Sequence, residues 1–278
     1  MGRPLGQHFL ADRAILDAIV AALVPQFGGV VLEVGAGTGS LTRRLAPRVG
    51  RVVTIERDRK LAAALRGAAD PLPSNVELVE GDALDLDWHG LLAAGPPSAV
   101  APAAFKVVGN IPYYVTSPLL DKALTPPLPA VIVYLVQREV ADRLAAAPGS
   151  RTFGALTAGV QAVATVERIR NVAAGAFRPP PRVGSAVVRL TPREPAYVAP
   201  AELPGFRAFL ARLFGQRRKQ LRRSLQNLTG LDAQRVEAIL GEVGVAPEDR
   251  PEMLTPQELV TLHRAVGSLT ETRPGPKL

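Results

Sequence analysis

The run Val30-Val31-Leu32-Glu33-Val34 passes directly into Gly35-Ala36-Gly37-Thr38-Gly39, and a helical pattern continues through Leu45. A short β-branched run closed by glycine reads as a buried strand. Glycines at that point make a tight turn and let the backbone come close to a bound molecule at a helix N-terminus. Strand, tight turn and helix form the repeating unit of an α/β sheet. Further runs extend the pattern: Arg51–Ile55, Val76–Glu80, Phe105–Val108, Val131–Val136, Val166–Val172 and Ser185–Leu190. Helical patterns lie between most of them. The chain therefore predicts an α/β fold on a seven-stranded sheet.

The residues at the strand ends carry chemistry. The spacing Gly-x-Gly-x-Gly differs from the Gly-x-Gly-x-x-Gly dinucleotide fingerprint. With Glu33 ahead of it, the turn is similar to the first motif of S-adenosylmethionine-dependent methyltransferases. Glu56 ends the second strand, where an acid suits ribose hydroxyls. Asp82, in Gly81-Asp82-Ala83 after the third strand, suits an adenine amine. Each acid alone also reads as a solvated strand-end carboxylate; a glycine turn and two such acids on successive strands point jointly to a cofactor.

The fourth strand runs into Gly109-Asn110-Ile111-Pro112-Tyr113-Tyr114. Open α/β sheets bind ligands just past the carboxyl ends of their strands. An exocyclic base amine is planar, its lone pair delocalised into the ring. Two acceptors, the Asn110 side-chain oxygen and the Ile111 carbonyl, can hold its two hydrogens and favour a tetrahedral nitrogen. Pro112 stiffens the local backbone. Tyr113 offers a flat face to a flipped base through its ring, not its hydroxyl. An ordinary Asn-Pro turn after a strand is the plain alternative. Thr116 or Ser117 is expected to cap a short helix carrying Pro118 in its first turn.

Elsewhere, Asp12 is expected to cap a helix carrying Ile15, Ile19, Ala22 and Leu23 on one face. Gly95–Pro102 reads as a Pro/Ala loop. In Ala176-Phe177-Arg178-Pro179-Pro180-Pro181-Arg182-Val183 the triple proline excludes helix and central strand. It makes a stiff extended segment, and Phe177 alone reads as a core aromatic. Pro192, Pro195 and Pro200 mark a linker. Beyond it come helical patterns over Phe206–Phe214, Gln220–Leu228 and Ala233–Leu240, then a helix opened by Thr255-Pro256-Gln257-Glu258. The expected domains are 1–195 and an all-helical 196–278, with residues 271–278 as a loose tail.

Charge adds a partner class. The chain carries 33 Lys and Arg against 25 Asp and Glu, a formal net charge of +8. Arg212, Arg217, Arg218, Lys219 and Arg222 fall within one stretch without an acid. Such a run is either a solvated helix face or a grip on a polyanion, and the basic balance favours nucleic acid over membrane. There is no cysteine, which excludes disulfides and thiolate-bound zinc, and three scattered histidines make a metal site unexpected. The apolar run Ala130–Val136 is far short of the roughly 20 residues that span a bilayer. Gln7, His8 and Asp12 interrupt any signal-peptide core, so a cytoplasmic protein is expected.

Together these pieces resemble the ribosomal RNA adenine N6,N6-dimethyltransferase family of the KsgA type. The matches are Gly6-Gln7-His8-Phe9-Leu10, Glu33–Gly37, Glu56, Gly81-Asp82-Ala83, Gly109–Tyr113, Ala176–Val183 with Ser185–Leu190, and Gln216-Arg217-Arg218-Lys219. The glycine turn is common to many methyltransferases; its combination with Gln-x-Phe-Leu, the triple proline and the basic run is specific. The resemblance implies a Rossmann-like seven-stranded methyltransferase sheet with a helical C-terminal domain. It implies two methyl transfers to each of two adjacent adenines near the end of small-subunit ribosomal RNA, within an immature small ribosomal subunit, by a monomer. It assigns S-adenosylmethionine to His8, Leu10, Gly35, Gly37, Glu56, Asp82 and Asn110. It assigns the target pocket to Asn110, Ile111, Tyr113 and Phe177, with the two aromatics gripping the base, and RNA contacts to a helix bearing Arg217, Arg218, Lys219, Arg222 and Arg223. His8 stands where many members have Asn; Thr38 and Ile111 each replace a common Leu. Alternatives are a large-subunit RNA methyltransferase of the macrolide-resistance type, a DNA adenine methyltransferase, and a ribosome-assembly or transcription factor whose main role is binding.

Overall fold

The computed structural model describes residues 7–94 and 105–271, with side chains through 267. Gly6, the Pro/Ala loop at 95–102 and the tail beyond 271 lie outside the described residues. Contacts divide the chain into two units: Met1–Ala141 with Thr165–Pro192, and Asp142–Ala164 with Arg193–Leu278.

The first unit is built on a sheet of seven strands in the order β4-β3-β2-β5-β6-β9-β7. Their ranges are β2 Val30–Val34, β3 Arg51–Glu56, β4 Val76–Glu80, β5 Lys106–Asn110, β6 Val131–Gln137, β7 Ala164–Val172 and β9 Ser185–Pro192. The pairs β4–β3, β3–β2, β2–β5 and β5–β6 are parallel, and β9 runs antiparallel to β6. Every residue of β2 is buried, as expected of a parallel strand covered on both faces. Edge strand β4 is half-exposed, with Glu77 and Glu80 its two exposed residues. All the sheet strands expected from the sequence are present, within a residue or two of their expected ends.

Strand order positions the site. From β2 the chain crosses to β3 on one side and returns through β5 on the other, so the order reverses between β2 and β5. Such a switch point opens a crevice at the carboxyl ends. Val34 pairs with Gly109, which brings the glycine turn and Asn110 side by side. A Cβ on Gly109 would lie 2.6 Å from the Val34 carbonyl oxygen, so that close approach requires glycine.

A second, two-stranded sheet is not signalled by the sequence pattern. Phe9–Leu10 (β1) pairs antiparallel with Phe177–Arg178 (β8), Leu10 facing Phe177. The prolines start just beyond it, where no ladder hydrogen bond is needed. Helix α1 (Arg13–Ala22) follows β1, its first amides at Ala14 and Ile15 accepted by Asp12 Oδ1 at 2.9 and 3.1 Å. Its face of Ile15, Leu16, Ile19 and Val20 packs in one cluster with Leu10 and Phe177. The cap expected at Thr116 or Ser117 is absent. Thr116 is the first residue of α5 (Thr116–Ala123), and its hydroxyl instead faces the Pro112 and Tyr113 carbonyls at 3.5 and 3.4 Å.

The second unit is helical: α7 Ala155–Gln161, α8 Leu203–Phe214, α9 Leu221–Thr229, α10 Ala233–Val243 and α11 Pro256–Glu271. It takes in residues 142–164, which the linker prolines alone would put in the first domain, before a boundary at 195. The reason is packing. Phe153 meets Phe214 with ring centroids 6.2 Å apart, and Leu210 lies against Gly159. At α11, Thr255 and Glu258 form a capping box, with bonds of 2.8 and 3.2 Å.

Candidate active site

The turn after β2 is held from below and from the side. Gly35 and Gly37 have φ of +84° and +56°, a region open to glycine at no steric cost. Beneath them Glu33 is fully buried. Its Oε2 accepts from the Thr42 and Thr54 hydroxyls at 2.6 and 2.7 Å, while Oε1 has no partner. Burial pushes this carboxyl up to about 7, against the smaller opposing effect of the two hydroxyls. Beside the turn, Glu56 Oε2 accepts the Gly37 amide at 2.8 Å, and Oε1 accepts the Asp58 amide at 2.8 Å. Glu56 therefore shapes the turn as well as facing the cleft.

Asp82 lies one strand further on. Its Oδ1 accepts the Leu84 amide at 2.9 Å and its Oδ2 pairs with Arg57 at 3.1 Å. Lys122 on α5 donates to the Leu84 and Leu86 carbonyls, both at 2.7 Å, and Trp88 Nε1 donates to the Ala83 carbonyl at 2.8 Å. The loop carrying Asp82 is thus tied at three carbonyls.

On the opposite wall Asn110 Nδ2 donates to the His8 carbonyl at 3.0 Å. A carbonyl only accepts, so the amide nitrogen must face it. The Asn110 oxygen is left for another donor. His8 Nδ1 lies 2.9 Å from the Pro179 carbonyl, and its ring faces Tyr113 with centroids 6.2 Å apart and planes at 27°. The Tyr113 hydroxyl is 3.0 Å from Ser185 Oγ. The hydroxyl, given no task by the sequence, anchors the ring.

The cleft between these walls encloses about 960 Å³ of space, its open mouth included. It brings together His8, Gly35, Gly37, Glu56, Asp82, Asn110, Ile111 and Tyr113. Phe177 does not join them, while Leu10 lines a smaller adjoining cavity together with Gly35, Gly37 and Asn110. Both side chains lie in the core cluster, 6% and 1% exposed, because the β1–β8 ladder turns them inward. Phe177 is the core aromatic, and the ring facing Tyr113 is His8. Arg57 and Tyr114 also line the cleft, although the sequence reading gives neither a role there; Tyr114 is 61% exposed. Their one signal in the sequence is position, since they directly follow Glu56 and Tyr113. In the helical unit, Arg217, Arg218 and Lys219 sit in the turn between α8 and α9 rather than on a helix, and only Arg222 and Arg223 are helical.

The family model described as ribosomal RNA adenine dimethylase matches residues 2–265. The chain belongs to the ribosomal RNA adenine dimethylase family. Relatives of this dimethylase named ribosomal RNA small subunit methyltransferase A are 44% identical over 265 residues in Anaeromyxobacter sp. (strain K), and 42% identical over 272 residues in Trichormus variabilis. The alignments cover 94% of this chain and 92% of the first relative, and 95% and 97% for the second. Among solved structures, a dimethyladenosine transferase from Plasmodium falciparum superposes with a TM-score of 0.76 at 26% identity, covering 92% of this chain and 96% of that one. The 23S rRNA methyltransferase ErmE superposes at 0.69 with 29% identity, covering 93% and 99%. The dimethylase thus has the Rossmann-like methyltransferase fold and is an rRNA-modifying enzyme. Among its described residues no helix is long and apolar enough to cross a membrane, and no group of three or more His, Asp or Glu is placed to hold a metal.

Proposed function

We propose that this dimethylase uses S-adenosylmethionine to convert two adjacent adenines near the 3′ end of small-subunit ribosomal RNA to N6,N6-dimethyladenine, acting as a cytoplasmic monomer on an immature small subunit. The observation that carries the reading is the Asn110–His8 bond. It commits the Asn110 amide nitrogen to His8 and leaves the side-chain oxygen as the free acceptor, at a cleft that Ile111 also lines. The small-subunit names of the relatives at 42–44% identity support the choice of RNA.

The donor set fits the cofactor. Glu56 and Asp82 end adjacent strands as acceptors for ribose hydroxyls and an adenine amine, and the left-handed backbone at Gly35 and Gly37 leaves room for close approach. When bound, S-adenosylmethionine supplies an electrophilic methyl group on a sulfonium. The protein's part is to present the nucleophile. The Asn110 oxygen and the Ile111 carbonyl hold the two amine hydrogens, which takes the nitrogen out of conjugation and exposes its lone pair. The Tyr113 ring, tied to Ser185, sets the plane of the base. The alkylated nitrogen then sheds one proton to water. A monomethylated amine has one hydrogen left and uses one acceptor in its second round.

The basic turn is assigned to RNA phosphates. Arg217 donates to the Arg151 carbonyl at 3.1 Å and Arg222 pairs with Glu237 at 2.9 Å, so these two are partly committed within the protein. Arg218, Lys219 and Arg223 are exposed and carry the larger share of the grip.

The decisive experiment offers the protein labelled S-adenosylmethionine with unmethylated small subunits, naked RNA, large subunits and DNA. Modified adenines are then mapped by mass spectrometry. Dimethyladenine at two neighbouring positions of small subunits is expected. Label confined to large subunits or DNA would defeat the reading.

A further inference from the structure

Strand β6 extends two residues past Leu135, which pairs with Asn110, and ends at Gln137 opposite Ser185. The next residue, Arg138, donates its amide to the Gly184 carbonyl at 2.9 Å. Its side chain lies over the same glycine. A Cβ built on Gly184 would be 2.9 Å from one terminal guanidinium nitrogen and 3.3 Å from both the guanidinium carbon and Nε. All three distances are short, so the guanidinium lies over the bare Cα, and a side chain at residue 184 would displace it. Gly184 adjoins Ser185, whose hydroxyl holds the Tyr113 ring. Arg138 is exposed and makes no ion pair among the described residues. Arg182, two residues before the seat, is exposed and equally unpaired.

We propose that Arg138, seated on Gly184, binds a backbone phosphate flanking the nucleotide whose base enters the Tyr113 pocket, with Arg182 as a second cation on the same rim. The proposal rests on the functional reading above and names a substrate contact within it. The glycine turn, Glu56 and Asp82 occupy the ends of β2, β3 and β4 on one side of Asn110. Arg138 and Arg182 lie on the other side, at the paired ends of β6 and β9. A flipped nucleotide carries its phosphates one sugar away from the ring, and a planar guanidinium offers paired donors matched to phosphate oxygens. Seating removes much of the rotamer freedom that a long side chain otherwise loses on binding.

The test is a double-substitution cycle on the full-length protein with unmethylated small subunits. Arg138→Gln should raise the KM for subunits about tenfold, the lower end of what one charge-assisted hydrogen bond contributes. It should flatten the dependence of binding on salt by just under one unit, leaving kcat and the calorimetric affinity for S-adenosylmethionine unchanged. Gly184→Ala pushes the guanidinium off its seat and should reproduce most of this loss. The double variant should be no worse than Arg138→Gln, because both remove one interaction. Arg138→Lys should restore the salt slope but only part of the KM. An unchanged salt slope in Arg138→Gln, or losses that add in the double variant, would overturn the proposal. Neither outcome touches the functional reading, which fails only if the unsubstituted protein leaves small-subunit adenines unmodified.

Discussion

Asn110 Nδ2 and the His8 main-chain oxygen are 3.0 Å apart although 102 residues separate them in the chain. That bond decides which end of the amide faces the cleft. It also joins the N-terminal segment to the end of β5, so that the amide proposed to accept from the target amine is oriented before any substrate arrives. Pre-orientation of this kind is where active-site polar groups have most effect, since nothing has to reorganise during the reaction.

Asn110→Ala should lower single-turnover methyl transfer by about 10²–10³, typical of losing one preorganised polar group. Asn110→Asp should be comparably impaired, because an ionised carboxylate has no hydrogen for His8. Rates measured at saturating cofactor and subunits check this. A fully active Asn110→Asp would show that the bond to His8 does not orient the group.

Tyr113→Phe should cost stability. Ser185 is completely buried and its hydroxyl faces the Tyr113 hydroxyl at 3.0 Å. Deleting the phenol oxygen leaves a buried hydroxyl unpartnered, which costs about 1–3 kcal/mol of stability. Ser185→Ala should relieve part of that cost in the double variant. Denaturant melts of the four proteins in the cycle measure it. Tyr113→Ala should in addition lose roughly 1–3 kcal/mol of base stacking, seen as weaker subunit binding.

Glu56 and Asp82 should separate in calorimetry with S-adenosylmethionine. Asp82→Ala removes one charge-assisted hydrogen bond, roughly 1.5–3 kcal/mol of affinity, with little effect on stability. Glu56→Ala should lose affinity and also stability, because Glu56 alone accepts both the Gly37 and Asp58 amides. Unchanged affinity in both variants would remove these acids from the cofactor site.

Glu33 makes stability depend on pH. Folding raises its carboxyl from 4.5 to about 7 through burial. Between those values the folded protein holds a proton that the unfolded chain has released. Stability from this group is complete below about pH 4.5 and is lost as pH rises through 7, by about 3 kcal/mol in total. Glu33→Gln should abolish that fall. Urea unfolding of both proteins at pH 5, 6.5 and 8 should show the variant gaining on the parent as pH rises; parallel curves would mean that Glu33 titrates normally.

Replacing Arg218, Lys219 and Arg223 with glutamine should flatten the salt dependence of subunit binding by up to about one unit for each phosphate no longer neutralised. Cofactor affinity should not change. An unaltered slope would mark the turn as a solvated surface.

The sequence by itself determined the strands, the glycine turn, the acids at the strand ends and the Asn-Ile-Pro-Tyr corner. Each is written in the periodicity or turn chemistry of neighbouring residues, and each is legible for that reason. The tertiary structure decided which of these meet. Only the order β3-β2-β5 sets Gly35 beside Asn110, and only the ladder between Leu10 and Phe177 turns both side chains into the core and leaves His8 to face Tyr113. The partners of the Tyr113 hydroxyl, of Asp82 and of the Arg138 guanidinium come from residues distant in the chain or on another element. Such pairings depend on how whole elements pack, and packing is a property of the assembled core that no local pattern records.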